Sequence, residues 1–285
     1  MKKIVMLFLL TTVIWGNAQE FQGKAYYFSK TSVDANFGGR QMSEDQKKAI
    51  TERLKSASEK TFILTFNKEA SAYKQESQLE ESGNSGRWGA MMSGFTSNNY
   101  YKNIIDKVYY DQREFYGKNF LIQDSIQQYK WTMLNETKQI GNYTCFKAVT
   151  TKIISDVADW RSIRRKAREL RNKGEEESKD VTTKTDSSAS KEIEVVAWYT
   201  PEIPINQGPG EFWGLPGLIL EVQQGRNTLL CNKIVLNTKD DLIKIPTKGK
   251  KVSQDEFDNV SKKKIEEMIE QFSTRRRGGF GGRRN

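Results

Sequence analysis

The residue types that most often perform chemistry are scarce in this chain. Among its 285 residues there is no histidine, and there are only two cysteines. Without histidine, the Ser–His and Cys–His dyads, His-ligated zinc and His-held haem are excluded. Two cysteines are too few for a Cys-only zinc or iron–sulfur site within one chain. Three carboxylates close together, Glu202, Glu211 and Glu221, are the remaining candidates for acid–base work, and a hydrolase can run on a carboxylate pair. No Gly-x-Ser-x-Gly or metal motif accompanies them. Glu202 directly follows Pro201, where a carboxylate can accept backbone N–H bonds and hold a turn. Cys145 sits in a strand-like run without a histidine to activate it. The glycine run 278–282 precedes neither strand nor helix, so it is no phosphate loop. The residues therefore point to a protein without catalysis, cofactor or metal, and the carboxylate hydrolase is the weakest of three functional readings.

The first segment sets a compartment. Lys2 and Lys3 precede an apolar run over 4–15, and Gly16, Asn17 and Ala18 supply small and polar residues before Gln19. This pattern predicts a cleaved signal peptide over 1–18. The run is shorter than the roughly 20 residues of a membrane span. No cysteine stands near the cut, so a lipid-anchored N-terminus is not expected. The mature chain should be periplasmic, free or associated with the outer membrane. In that oxidising space Cys145 and Cys231 could form a disulfide, contributing about 4 kcal/mol by closing a long loop. Two separately buried thiols are the alternative, and the sequence leaves both open.

These residues must be positioned by strands. Runs rich in Tyr, Phe, Ile, Val and Thr, bounded by polar or glycine breaks, occupy 24–31, 60–67, 70–77, 107–111, 119–124, 128–136, 143–152, 193–199, 218–223 and 228–236. Most lie too close together for crossover helices, so the sheet should be largely antiparallel. Capping boxes at Ser43-Glu44-Asp45-Gln46 and Ser253-Gln254-Asp255-Glu256 predict two helices. The second carries Phe257, Val260, Ile265, Met268, Ile269 and Phe272 as an apolar stripe for docking on the sheet. A third helix is predicted over 157–173, ringed by arginines that include Arg164, Arg165 and Arg168. The expected fold is α+β and β-rich: a curved, half-barrel-like antiparallel sheet with a few short helices, one of them C-terminal. One domain should span 19–272, with a charged insertion at about 153–192 and a disordered Arg/Gly tail over 273–285.

Proline placement singles out one stretch. Four of the five prolines, Pro201, Pro204, Pro209 and Pro216, fall within 201–216, mixed with Gly208, Gly210, Gly214 and Gly217. Alternating the stiffest and freest residues specifies an irregular backbone. Such a loop either carries function or closes the end of a sheet. Aromatic residues gather beside it, among them Trp131, Trp198, Tyr199, Phe212 and Trp213. They suit a packed core or an apolar concavity for a ligand.

Within the loop, Gly214-Leu215-Pro216-Gly217-Leu218-Ile219 spells the signature of the GLPGLI family of exported Bacteroidota proteins. The resemblance extends to Ala197–Pro204, to Gly208, Pro209 and Phe212, and to Leu220, Glu221 and Val222. Upstream, Trp131, Glu136, Lys138, Ile140, Gly141, Tyr143, Cys145, Lys147 and Ala148 resemble a second block of the family, and 115–124 a third. The chain departs from the pattern between Ala148 and Val195, where the family has a short connection. The resemblance implies a β-rich exported protein encoded beside TonB-dependent receptors or other outer-membrane proteins. The leading expectation is thus a non-enzymatic accessory or binding protein assisting an outer-membrane transporter or outer-membrane assembly. Its expected contact residues are Trp198, Tyr199, Pro201, Glu202, Pro204, Pro209, Phe212, Gly214, Leu215, Pro216 and Gly217. A periplasmic carrier of an apolar ligand is the second reading.

The net charge of +10 is mostly an end effect. Lys2, Lys3 and the tail's Arg275, Arg276, Arg277, Arg283 and Arg284 account for seven of it. Export argues against nucleic acid as the target of these arginines and favours an anionic lipid, lipopolysaccharide or acidic protein surface. The sequence leaves the oligomeric state open.

Overall fold

The structure, a computed structural model, describes residues 21–31, 43–76, 99–154, 191–238 and 243–277. The signal peptide, the helix expected over 157–173 with Arg164, Arg165 and Arg168, and Arg283 and Arg284 lie outside these residues.

The strands are β1 (Gly23–Thr31), β2 (Lys60–Phe66), β3 (Ala70–Gln75), β4 (Asn99–Asn103), β5 (Val108–Phe115), β6 (Lys118–Ser125), β7 (Thr132–Ile140), β8 (Tyr143–Ile154), β9 (Lys191–Thr200), β10 (Leu218–Gln224), β11 (Asn227–Leu236) and β12 (Lys250–Val252). Among the described residues two helices accompany them, α1 (Glu44–Ser58) and α2 (Gln254–Arg277). All twelve strands form one open sheet in the order β12-β6-β5-β4-β3-β2-β1-β11-β10-β9-β8-β7. It is two antiparallel meanders, β1 to β6 and β7 to β11, joined where β1 pairs with β11. Only β12 runs parallel to its neighbour, β6.

Connectivity forces this sheet to curl. Ten strand spacings separate β6 from β7, about 48 Å if the sheet were flat. The six residues between them, 126–131, reach at most about 25 Å. The two ends must therefore turn toward each other. The inner face carries Ala25, Tyr27, Leu64, Phe66, Tyr73 and Tyr100, alternating with outward Lys24, Tyr26 and Lys74 as a period of two demands.

Local signals explain the turns and caps. Tyr116 and Gly117 both have positive φ (52° and 72°) between β5 and β6, the pair required by a two-residue type I′ hairpin turn. Both capping boxes form with reciprocal bonds. Gln46 N–H donates to Ser43 Oγ at 3.3 Å and Ser43 N–H to Gln46 Oε1 at 3.2 Å. At α2, Glu256 N–H donates to Ser253 Oγ at 3.1 Å and Ser253 N–H to Glu256 Oε2 at 3.0 Å. Helix α2 buries Phe257, Ser261, Ile265 and Met268 at helical spacing. The ring of Phe257 meets Phe115 and Phe120 edge-on, so the helix docks on the β5–β6 hairpin.

Several expectations change. Val260 is exposed and Ser261 takes its place in the buried stripe, because a step of four residues from Phe257 stays closer to the seam than a step of three. The helix runs through Arg275, Arg276 and Arg277, which had been expected in the tail. Arginine is a good helix former, cations suit a helix C-terminus, and the glycines start only at Gly278. Strands β4 and β12 were not anticipated. The first is five residues following a Gly/Ser/Asn-rich run, and the second is three residues long. Strand β7 begins at Thr132 rather than 128 because the preceding residues make the crossing from β6.

Candidate functional site

The Pro/Gly loop between β9 and β10 lies against the inner face of the sheet. Its side chains divide by position. Ile203, Ile205, Gln207, Pro209, Phe212, Leu215 and Gly217 are buried, whereas Pro201, Glu202, Pro204, Gly214 and Pro216 are exposed. Backbone bonds hold the irregular path: Ile205 N–H to Ile203 O, Leu218 N–H to Ile203 O, Ile219 N–H to Gln207 O, and Gly214 N–H to Asn206 O. Glycine is required at two positions of the hexapeptide 214–219. Gly214 has φ +94°, and a Cβ on Gly217 would stand 2.1 Å from the Thr200 carbonyl oxygen. The hexapeptide is thus a packing device: a tight return of the chain followed by the buried Leu218 and Ile219.

Anchors from distant strands hold the loop. Trp131 Nε1 donates to Trp213 O at 2.9 Å, and Trp213 Nε1 to Gln127 O at 2.8 Å. These bonds tie the loop to the β6–β7 crossing, where Tyr129 also packs on Phe212. Ser71 Oγ donates to Gln207 Oε1 at 2.9 Å. Tyr27 OH donates to Ile219 O at 2.6 Å. From β4, Lys102 Nζ donates to Gly208 O at 2.8 Å and Gly210 O at 2.7 Å. Lys102 is only 1% exposed. Burial pulls its pKa down to about 7, against the attraction of the Glu211 carboxylate. Glu211 itself pairs with Lys152 on β8. Beneath them, buried Asp111 receives Arg113 Nε at 2.7 Å. Lys102 had no sequence signal beyond a lysine beside two tyrosines in an unanticipated strand.

A second assembly faces the other way, on the outer side of β7 to β10. The sheet register places Glu221, Trp198 and Lys147 in one lateral row. Lys138 Nζ lies 2.7 Å from Glu221 Oε2 and 4.3 Å from the centroid of the Trp198 ring. Lys147 Nζ lies 2.9 Å from Glu136 Oε1 and 5.9 Å from the same ring. Glu202 is exposed at the border of this row and accepts Thr144 N–H at 2.8 Å, the turn-holding arrangement open to a carboxylate after Pro201. Trp198 is partly buried, while its neighbour Tyr199 is buried on the inner side, tilted against Phe146. The stretch Trp198–Gly217 thus splits between the two faces instead of forming one surface.

The three candidate carboxylates do not gather at one site. Glu202 and Glu221 belong to the outer side and Glu211 to the inner side, each engaged with a different partner. Of the two cysteine readings, the structure has buried free thiols. Strands β9 and β10 stand between β8, which carries Cys145, and β11, which carries Cys231. Three strand spacings, about 14 Å, exceed the roughly 7 Å between Cα atoms that a disulfide can bridge. Burial pushes Cys145 up to about 11 and Cys231 up to about 12, so neither is a ready thiolate. Among the described residues no group of three His, Cys, Asp or Glu is placed to hold a metal ion, and no helix is long and apolar enough to cross a membrane.

The outer patch and the Pro/Gly loop fall within one matched segment, whereas the loop's anchors Tyr27, Ser71, Lys102, Gln127 and Tyr129 lie outside it. Residues 131–221 match the model of a family described as a protein of unknown function, Porph_ging. No curated protein matches the chain. Among solved structures, PNGF-II in a C2 crystal form aligns over 85% of this chain at 10% identity with a TM-score of 0.43. The P21 form of PNGF-II gives 11% identity over 85% of this chain, also at 0.43. The chain spans about a third of those proteins, 32% and 33% respectively.

Proposed function

We propose that this chain is an exported, non-enzymatic accessory or binding protein of the cell envelope. It docks on an outer-membrane transporter or assembly protein through the outer side of β7 to β10. The observation that carries this reading is a convergence. Glu136, Lys138, Lys147, Trp198, Glu202 and Glu221 come from separate segments that carry the GLPGLI resemblance, and they meet on one outward patch. A tryptophan held between two lysines, themselves fixed by carboxylates, has the composition of an interface hot spot. Membership of the GLPGLI family, with its neighbouring TonB-dependent receptors, is part of the proposal. So are export through the 1–18 signal peptide and periplasmic residence at the outer membrane. The Arg-rich extensions, Arg164 to Arg168 and Arg275 to Arg284, would add attraction to acidic protein or lipid headgroups.

The half-barrel expectation is compatible with the curl that the β6–β7 crossing imposes. A carrier of an apolar ligand would use the same concavity, but Ile203, Ile205, Phe212 and Leu215 occupy inner-face packing there. The accessory reading is therefore preferred. Affinity purification from envelope membranes, with the wild type and the Trp198→Ala, Lys138→Ala double variant side by side, tests it. One outer-membrane protein should co-purify with the wild type and be lost with the variant. Recovery of the wild type solely as a free protein would overturn the proposal.

A further inference from the structure

Lys102 presents an unusual problem for a buried amine. Its ammonium would sit beneath the loop with two neutral carbonyls, Gly208 O and Gly210 O, as hydrogen-bond partners. The nearest charged carboxylate, Glu211, is already committed to Lys152. A neutral amine keeps both hydrogen bonds, whereas a charged one must also bear the desolvation of an ion without a carboxylate of its own. We propose that the loop 201–217 is held by a proton-sensitive latch: uptake of a proton by Lys102 weakens the loop's seat on the inner face.

The surroundings leave Lys102 as the group that titrates. Ser71 and Tyr73 on β3 border the loop's seat, Tyr100 lies on its own strand, and Tyr109 and Asp111 face it from β5. Tyr129 faces the site from the β6–β7 crossing, Lys152 from β8, and Glu211 from the loop itself. Tyr73, Tyr100, Tyr109 and Tyr129 are all shifted upward by burial, so they stay neutral through the physiological range. Asp111 is held by Arg113. The chain has no histidine, so the side chain that ordinarily changes charge between pH 5 and 8 is missing altogether. Both thiols are pushed out of that range.

The sign follows from linkage. The folded value of about 7 lies below the ordinary 10.5 of a free lysine. Between those values the unfolded chain binds the extra proton, so stability rises with pH. It is lost progressively as pH falls from 10.5, and the loss is complete below about 7.

The test uses the mature full-length chain and its Lys102→Met variant in denaturant titrations from pH 7 to 9. The wild-type unfolding constant should fall up to about tenfold per pH unit. That slope should vanish in the variant. A flat wild type, or an equal slope in both proteins, overturns the latch. Should the variant fail to fold, NMR titration of 13C-labelled lysines in the wild type decides: one resonance should titrate near neutrality, and titration of every lysine above pH 9 overturns it. Amide exchange over 203–217, corrected for its intrinsic pH dependence, should report more frequent opening at pH 6.5 than at pH 8.5. Equal opening at both would remove the loop from the mechanism.

Discussion

The inner loop and the outer patch draw on the same short segment and use it in opposite ways. Between Trp198 and Glu221 the chain alternates faces, so neighbours in sequence have different fates. Leu215 is fully buried, and Gly217 leaves no room for a Cβ against the Thr200 carbonyl. Trp198, Glu202 and Glu221 look outward among lysines. The contrast teaches that a recognisable motif need not be a contact surface. The hexapeptide 214–219 has a backbone path that requires glycine at two places, whereas the patch is assembled from scattered residues and has no motif.

That comparison can be broken most severely at Gly217. Gly217→Ala should destabilise by on the order of 4 kcal/mol, because the clash is with backbone rather than a movable side chain. Chemical denaturation of the mature chain measures this, and a near-wild-type midpoint would mean that the loop is not a rigid seat. Leu215→Ala comes next, at about 3 kcal/mol for a fully buried leucine. Trp198→Ala should change stability by only about 1 kcal/mol, through lost cation–π and packing contacts. It should nevertheless weaken partner capture at least tenfold if the tryptophan is a hot spot. A pull-down run beside a thermal melt separates the two effects. A large stability loss with capture intact would reverse the roles of loop and patch. The smallest effect is expected for Glu202→Gln. The amide oxygen can still accept Thr144 N–H, so stability should shift by under about 1 kcal/mol. Partner capture should fall by less than with Trp198→Ala, and complete loss of capture would move the centre of the patch from the tryptophan to this carboxylate.

Much of the scaffold was legible from residues. The alternation around Tyr27 and the capping boxes at Ser43 and Ser253 are local signals, and local physics carries them out. Strand β4 was not legible, because five residues, Asn99–Asn103, have too little apolar alternation to stand apart from the run before them. Lys102 was invisible for the same reason. Its burial depends on a loop more than 100 residues away, which no window of sequence contains.

By itself, the sequence determined which residue types the chain lacks, the β-rich class and the place of the irregular loop. Absent residue types and short-range backbone preferences need no tertiary context. Only the tertiary structure decided which face each loop residue takes, that Cys145 and Cys231 stay apart as thiols, and that Glu136, Lys138, Lys147, Trp198 and Glu221 form one patch. Those outcomes depend on strand order and register. Both follow from how the strands pair and curl as one sheet, a global balance that no single segment encodes.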